Sequence, residues 1–401
     1  MKIAVVTGEY WPYIRGGSGV SATLLVRQLR EEGILVDVYV FGKNRPAVFN
    51  NNGSTFYYNS INDRLWPFVN LQATKKLWKV LTKYDVVHVY STIRIAALGF
   101  LRRTILKTPV VATLNGEEAA CLYYQRWMRD QCKNCSYSNV IYCALERAKK
   151  LETLHVPFQI LATYFFIQRI LAHSLDKYFA LSNIMRNLYI SCGFPKDKIT
   201  VIPNMYDPAF LYRLEQLNAP RNDKKTVILY AGRLVRKKGV EDLIEAFSKI
   251  KSNRAELWIA GRGPDRKKLG EIAKRINKKV KFLGFVSLYD LPLIYKKAHI
   301  FVHPAKYPEP FSRNILEAML SELAVVASDS GASSEALGDV GIIYKTGNVN
   351  ELVEKLEILI NDEKSRIELG KKARKRVLEN FSPTKVVQQI INEYKDVLQN
   401  H

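Results

Sequence analysis

The sequence predicts an α/β protein built from two doubly wound parallel sheets. Three observations carry this expectation. Short apolar, β-branched runs alternate with helical patterns almost from end to end, as parallel strands covered by crossover helices do. The runs fall into two series, parted by a polar segment rich in turn residues. The chain has 401 residues, 47% hydrophobic and 25% charged, a globular composition with apolar material for two cores.

The first series of expected strands covers residues 3–7, 36–41, 85–90, 110–114, 178–181 and 199–202, and the second 226–231, 256–260, 280–283, 300–303, 325–328 and 341–344. Between them, 207–225 contains Pro208, Pro220, Arg221, Asn222 and Asp223 and reads as a linker. The expected domains are therefore 1–205 and 206–383, each of a size for one doubly wound sheet. Ser382-Pro383 marks a fresh helical start, and residues 384–401 are expected to pack back on the first domain.

Lys2-Ile3-Ala4-Val5-Val6-Thr7 opens the chain as a strand rather than a charged-then-apolar leader, so a mature N-terminus in the cytoplasm is expected. The longest apolar stretch, 158–172, is broken by Gln159, Gln168 and Arg169 and is too short and polar to cross a hydrocarbon core of about 30 Å. A formal net charge of +23 favours a polyanionic partner: a membrane surface, a nucleotide diphosphate or nucleic acid. Charge does not choose among them, but no recognised nucleic-acid motif is present, so nucleic acid is not expected.

In open parallel sheets, ligands bind beyond the carboxyl ends of the strands, so the loops there hold the candidate chemistry. After the first strand come Trp11-Pro12 and then Arg15-Gly16-Gly17-Ser18-Gly19, before a helix expected near Val20. Consecutive glycines let backbone approach a ligand, and a helix start offers N–H groups to an anion. The run does not read as Gly-x-Gly-x-x-Gly, which argues against a dinucleotide fingerprint. After the first strand of the second series, Gly232-Arg233-Leu234-Val235-Arg236-Lys237-Lys238-Gly239 places Arg233 and Lys238 where they can grip a diphosphate from two sides.

A third loop follows His303-Pro304 and contains Pro308-Glu309-Pro310-Phe311-Ser312-Arg313-Asn314, with Glu317 on the helix expected from Ser312. Two prolines hold Glu309 in an extended loop, so the two carboxylates sit on different elements and can reach the sugar and the ribose respectively. The N–H groups of Phe311, Ser312, Arg313 and Asn314, at the helix start, would face phosphates. Residue type alone also allows Glu317 to be an ordinary surface residue.

In order and spacing, the Gly-Gly-x-Gly loop, the Gly-Arg-Leu-x-x-x-Lys-Gly run, Ile259-Ala260-Gly261-Arg262-Gly263-Pro264 and Glu309-x7-Glu317 resemble glycosyltransferase family 4, the retaining group 1 glycosyltransferases. Val201-Ile202-Pro203-Asn204 and Ser330-Gly331-Ala332-Ser333-Ser334-Glu335 extend the likeness over nearly the whole chain. The resemblance implies a GT-B fold, two Rossmann-like domains facing across a cleft, with acceptor mainly on the first and donor nucleotide on the second. It implies a hexosyltransferase acting on a UDP- or GDP-sugar with retention of configuration and without a metal-bound donor. By position, Arg233 and Lys238 would hold the diphosphate, Glu317 the ribose and Glu309 the transferred sugar, which makes Glu309, Arg233 and Lys238 the catalytic candidates. Gly16, Gly17 and Gly261 would border the donor, and Phe285 and Val286 would meet the base. The work is then charge stabilisation of a departing diphosphate.

Departures from the family pattern fall at three places. Asn115-Gly116 stands where His-Gly or His-Asp is frequent near the donor sugar; Asn115 can exchange hydrogen bonds with hydroxyls but carries no proton or charge. Met205 and Ser312 replace frequent glycines. His88, among valines in a strand, reads as a packed core residue rather than a catalytic one.

Cys121-x10-Cys132-x2-Cys135-x7-Cys143 fits either a structural tetrahedral zinc or unligated buried thiols. The same region continues through Arg147, Lys149, Lys150 and His155 into the aromatic stretch 158–167, which suits either a peripheral surface on the inner face of an anionic membrane, serving a lipid-linked acceptor, or a buried crossover helix. Two further activities fit the same residues. One is a sugar-nucleotide epimerase or phosphorylase. The other is a non-catalytic polyanion- or nucleotide-binding protein, for which the charge and Asn115 speak.

Overall fold

The computed structural model describes residues 1–14, 16–42, 53–59, 78–90, 95–116, 136, 138–139, 141–143, 170–221, 225–276 and 279–401. The chain forms two compact units, Met1–Pro203 with Val386–His401, and Asn204–Lys385. Each is an α/β unit around one parallel sheet.

The first unit has strands β1 (Lys2–Thr7), β2 (Leu35–Gly42), β3 (Thr55–Asn59), β4 (Val86–Tyr90), β5 (Val110–Leu114), β6 (Lys177–Ala180) and β7 (Ile199–Val201), in the order β3-β2-β1-β4-β5-β6-β7. All pairings among them are parallel. β4 and β5 are buried along their whole length, which is why they read as apolar runs broken only by His88 and Thr113. Thr-Phe-Tyr-Tyr-Asn of β3 was not among the expected strands: it is an edge strand with no aliphatic run, and only pairing with β2 defines it. The order reverses at β1, which lies between β2 and β4, so the loop after β1 opens at the switch point of this sheet.

The helix after that loop is Gly17–Glu31, starting three residues before the expected Val20. Its glycines belong to the first turn rather than to a preceding turn. A Cβ on Gly19 would come within 2.9 Å of the Glu9 Cβ, so this turn can lie against the loop only with glycine there. The last helix is Pro383–Gln399. Fully buried Tyr394 on it meets His88 Nδ1 at 2.5 Å, and His88 Nε2 meets Thr113 Oγ1 at 2.7 Å. Burial pushes the His88 imidazole down to about 3, so it is a neutral core residue.

The second unit has strands β8 (Thr226–Ala231), β9 (Ala255–Ala260), β10 (Val280–Gly284), β11 (Ile300–His303), β12 (Ala324–Ser328) and β13 (Ile342–Tyr344), in the order β10-β9-β8-β11-β12-β13. Here β8 is the switch strand. The amphipathic helices Val240–Lys249 and Val349–Asn361 pack together, with Leu243, Ile244, Phe247, Leu352, Leu356 and Leu359 in the core.

The expected linker is corrected at one point: 207–225 contains the helix Pro208–Gln216. Asp207 caps it by accepting from the Ala209 N–H at 2.9 Å, Pro208 occupies the first turn, and buried Phe210 and Leu214 anchor it. Phe210 packs edge-on to Tyr295 with ring centroids 5.6 Å apart. That pair of apolar residues four apart is too small a signal to stand out in a polar composition. No helix among the described residues is long and apolar enough to cross a membrane.

Candidate active site

In the second unit, the loops leaving β8 and β11 flank the switch point and are laced to one another. The Lys306 N–H donates to the Lys237 carbonyl at 2.9 Å, and Lys306 Nζ pairs with Asp242 at 2.6 Å. Gly239 ends the turn Arg236–Lys238 at φ +66, and a Cβ there would lie 1.8 Å from the Pro304 carbonyl oxygen. Glycine is required twice over, by the left-handed conformation and by the close approach of the β11 exit.

This lacing brings the sequence-predicted cation and carboxylate together. Lys238 forms an ion pair with Glu309, their side chains only 20% and 11% exposed. Burial and the adjacent charges of Lys237 and Arg233 push the Lys238 ammonium down to about 8. A crowd of cations with one carboxylate among them is a site that a further anion would relieve. Arg233 has an exposed side chain, and its backbone carbonyl accepts from the Tyr230 hydroxyl at 2.8 Å. His303 is buried, and its Nε2 stands 3.5 Å from Glu309 Oε2 with no hydrogen-bond partner. Burial, and then the Lys238 charge, hold its imidazole down to about 3.

Glu309 is fixed from behind. The Ala332 N–H donates to its carbonyl at 3.0 Å, and Gly331, at φ +62, leaves no room for a Cβ, which would stand 2.3 Å from the Glu309 nitrogen. Ser312 begins the helix Arg313–Leu320 as its N-cap without a side-chain cap bond. Asn204 Nδ2 donates to the Phe311 carbonyl at 3.2 Å, and Phe311 packs on Phe381 with centroids 5.4 Å apart. Asn314 Nδ2 donates to the Ala231 carbonyl, tying the helix start to the end of β8.

Glu317 is 7% exposed, so it is no ordinary surface residue. Its Oε2 accepts from the Tyr295 hydroxyl at 3.2 Å, and its Oε1 lies 3.7 Å from Arg313 Nη2. Burial raises its carboxyl, an effect that Arg313 and Tyr295 oppose and Asp207 reinforces. Arg313 Nη1 is buried with no hydrogen-bond partner.

One strand further, the Gly261 N–H donates to the Gly284 carbonyl at 2.7 Å. Phe285 is 65% exposed beside half-buried Val286, and the Arg262 guanidinium covers its ring at 4.6 Å. The second unit thus places Arg233, Lys238, Gly261, Phe285, Val286, Glu309, Phe311, Ser312, Arg313 and Glu317 at the carboxyl ends of β8 to β11 or on the helix that follows. Sequence reasoning gave no role to Tyr295 or His303, and to Asn314 only its backbone N–H at the helix start, not its side chain. Tyr295 carries no motif signal, whereas the polar types of His303 and Asn314 within the third loop region were there to be read.

In the first unit, Gly16 and Gly17 sit at the start of their helix, and the Gly16 N–H donates to Glu9 Oε2 at 3.1 Å. Asn115 Nδ2 donates to Ser18 Oγ at 2.7 Å, and the Tyr189 hydroxyl donates to the Gly116 carbonyl at 2.8 Å. The glycine loop and the Asn115 turn are therefore neighbours. Cys143 is described and buried, while Cys121, Cys132 and Cys135, the basic residues 147–155 and the aromatic stretch 158–167 lie outside the described residues.

Comparison with known proteins matches both units. Residues 15–210 match the glycosyltransferase family 4 model, and residues 215–376 match that of the glycosyl transferases group 1. An uncharacterized glycosyltransferase of Methanocaldococcus jannaschii is 28% identical, over 98% of this chain and 98% of its own length. Among solved structures, sucrose-phosphate synthase from Thermosynechococcus elongatus is similar with a TM-score of 0.75 at 19% identity, covering 100% of both chains. Anabaena HepE in complex with UDP is similar with a TM-score of 0.73 at 19% identity, covering 99% of this chain and 100% of its own. With matches that run through both parallel-sheet units, the chain belongs to the group 1, family 4 glycosyltransferases, enzymes of GT-B fold.

Proposed function

We propose that this glycosyltransferase moves a hexose-type sugar from a UDP- or GDP-sugar to a hydroxyl of a glycan or lipid-linked acceptor, with retention of configuration. The observation that carries the donor reading is Lys238: a buried ammonium crowded by Lys237 and Arg233 at the switch point of the second sheet, its only close ion pair among the described residues made with Glu309. UDP bound to Anabaena HepE, a protein of the same fold, supports a nucleotide donor.

In this reading Arg233 and Lys238 neutralise the charge that builds on the leaving diphosphate, helped by the N–H groups of Phe311, Ser312 and Arg313. Glu309 orients the transferred sugar, and Glu317 takes the ribose hydroxyls. Phe285, Val286 and Gly261 border the base. Gly16, Gly17 and Asn115 serve the sugar and phosphates from the first unit. The charges come from side chains and backbone, so transfer is expected to persist in EDTA.

Away from this chemistry, Cys121, Cys132, Cys135 and Cys143 are proposed to close a structural zinc. Less than one zinc per chain in purified protein counts against that. The basic and aromatic region that follows is proposed to rest on an anionic membrane from the cytoplasmic side, which sedimentation with anionic against neutral vesicles tests.

The deciding experiment is a melting-shift panel of UDP-, GDP- and ADP-sugars, followed by mass analysis of products formed with a lipid extract and NMR of the anomeric centre. No shift with any nucleotide sugar refutes the donor reading, and an inverted product refutes retention. Release of an isomerised sugar nucleotide with no second molecule glycosylated would favour an epimerase.

A further inference from the structure

We infer that His303 is a positioning residue for Glu309, taking over its carboxylate when Lys238 turns to the donor's diphosphate, so that nucleotide binding carries a proton into the site. This rests on the donor reading above. His303 ends β11, and its side chain is 4% exposed. Its Nε2 is a buried polar atom with no hydrogen-bond partner, yet it stands 3.5 Å from Glu309 Oε2, just beyond bonding reach. A buried nitrogen left unbonded is costly, and the atom it faces is the carboxylate that Lys238 already holds through the other oxygen.

The charged groups around His303 explain both the present state and the change. Glu309 and Lys238 are the nearest, and Lys237 and Arg233 crowd Lys238 in turn. With Lys238 directed at Glu309, its charge adds to burial in keeping the imidazole neutral. A diphosphate drawing the Lys238 ammonium away would leave Glu309 as a buried carboxylate without a counter-charge, a strongly unfavourable arrangement. It would also place new negative charge nearby and remove a positive one from His303. Both changes favour protonation of the ring. The proton comes from solvent and settles on His303, and an Nε2–H then donates to Glu309 Oε2. The imidazolium replaces the ammonium as partner, and the carboxylate keeps its orientation toward the sugar. Because the bound state holds the extra proton, affinity for the diphosphate weakens as pH rises through the His303 value of the complex.

The test is calorimetry of UDP, with GDP and ADP as alternatives, titrated into the whole protein in buffers of different ionisation enthalpy. At pH 8 the terminal phosphate of the nucleotide is already ionised and contributes little, and any proton that Lys238 gains, its ammonium being pushed down to about 8, is common to both proteins. Wild type is expected to take up more protons per nucleotide than H303Q, while H303Q still binds. Equal proton counts in the two proteins, with binding retained, overturn the handover and leave the donor site standing. Absence of binding to any of the nucleotides overturns both. If H303Q fails to fold, imidazole nitrogen NMR of the wild type decides. One ring turning to imidazolium as nucleotide is added is the expected result, and unchanged rings refute the proposal.

Discussion

Removing Glu317 separates structure from chemistry at the proposed ribose position. In Glu317→Ala, Arg313 loses the carboxylate that pairs with it while its side chain stays 10% exposed, and the Tyr295 hydroxyl loses an acceptor inside a fully buried environment. Breaking a buried pair from one side costs about 3–5 kcal/mol, because the remaining charge is uncompensated. The lost tyrosine hydrogen bond falls within the same figure rather than adding to it, since the two share one carboxylate. For a unit of this size, about 2–4 °C is lost per kcal/mol, so a fall on the order of 10 °C is expected. The double variant R313M/E317M removes both charges at similar volume and is expected to recover most of that loss.

Urea unfolding measures the stabilities, and a melting shift with UDP or GDP measures the site. If Glu317 binds ribose, the double variant recovers stability but not nucleotide binding; if it is only a structural partner of Arg313, both return. A single variant within about 1 kcal/mol of wild type would refute the buried-pair reasoning itself. The pH dependence adds a sign. Since burial raises the Glu317 carboxyl above its unfolded value, the native state binds more protons over that interval. Stability therefore falls as pH rises from about 4.5 toward the raised value, and E317Q removes that slope.

The remaining predictions concern other elements. Lys238→Ala should abolish nucleotide binding, whereas Lys238→Arg should keep it and remove the part of its pH dependence that belongs to the ammonium. The wild-type ammonium, pushed down to about 8, loses its charge and its grip as pH rises above that value, which titrations from pH 7 to 9.5 measure. His88→Leu leaves the Tyr394 and Thr113 hydroxyls without a partner and should cost about 2–3 kcal/mol with nucleotide binding unchanged, as denaturant melts read. Wild-type His88 must charge on unfolding, so its contribution is full above about 6.5 and declines as pH falls toward 3, a slope the variant lacks. Gly239→Ala, facing the Pro304 carbonyl at φ +66, should cost more than about 1 kcal/mol and lower nucleotide affinity by displacing the loop after β11.

The strands were legible because of the environment they occupy. β4, β5, β8 and β11 are buried on both faces, so their sequences are predominantly apolar, and β8 and β11 coincide with their expected spans. β3 and the helix Pro208–Gln216 were hidden for the opposite reason: each owes its stability to contacts elsewhere in its unit rather than to a local pattern. The site showed the same division. Glycines and charges after a strand mark a loop that can meet an anion, and the order of those loops along the chain sufficed to suggest the family.

Sequence by itself determined the two sheets, the loops that carry the chemistry and the residue types at Arg233, Lys238, Glu309 and Glu317, because periodicity and turn chemistry are local properties of the chain. Tertiary structure alone decided their electrostatic state. That Lys238 lies against Glu309 with His303 waiting behind, and that Glu317 is held between Tyr295 and Arg313, depends on side chains far apart in sequence meeting where water is excluded. Burial sets the charge of each group, and burial is a property of the assembled unit.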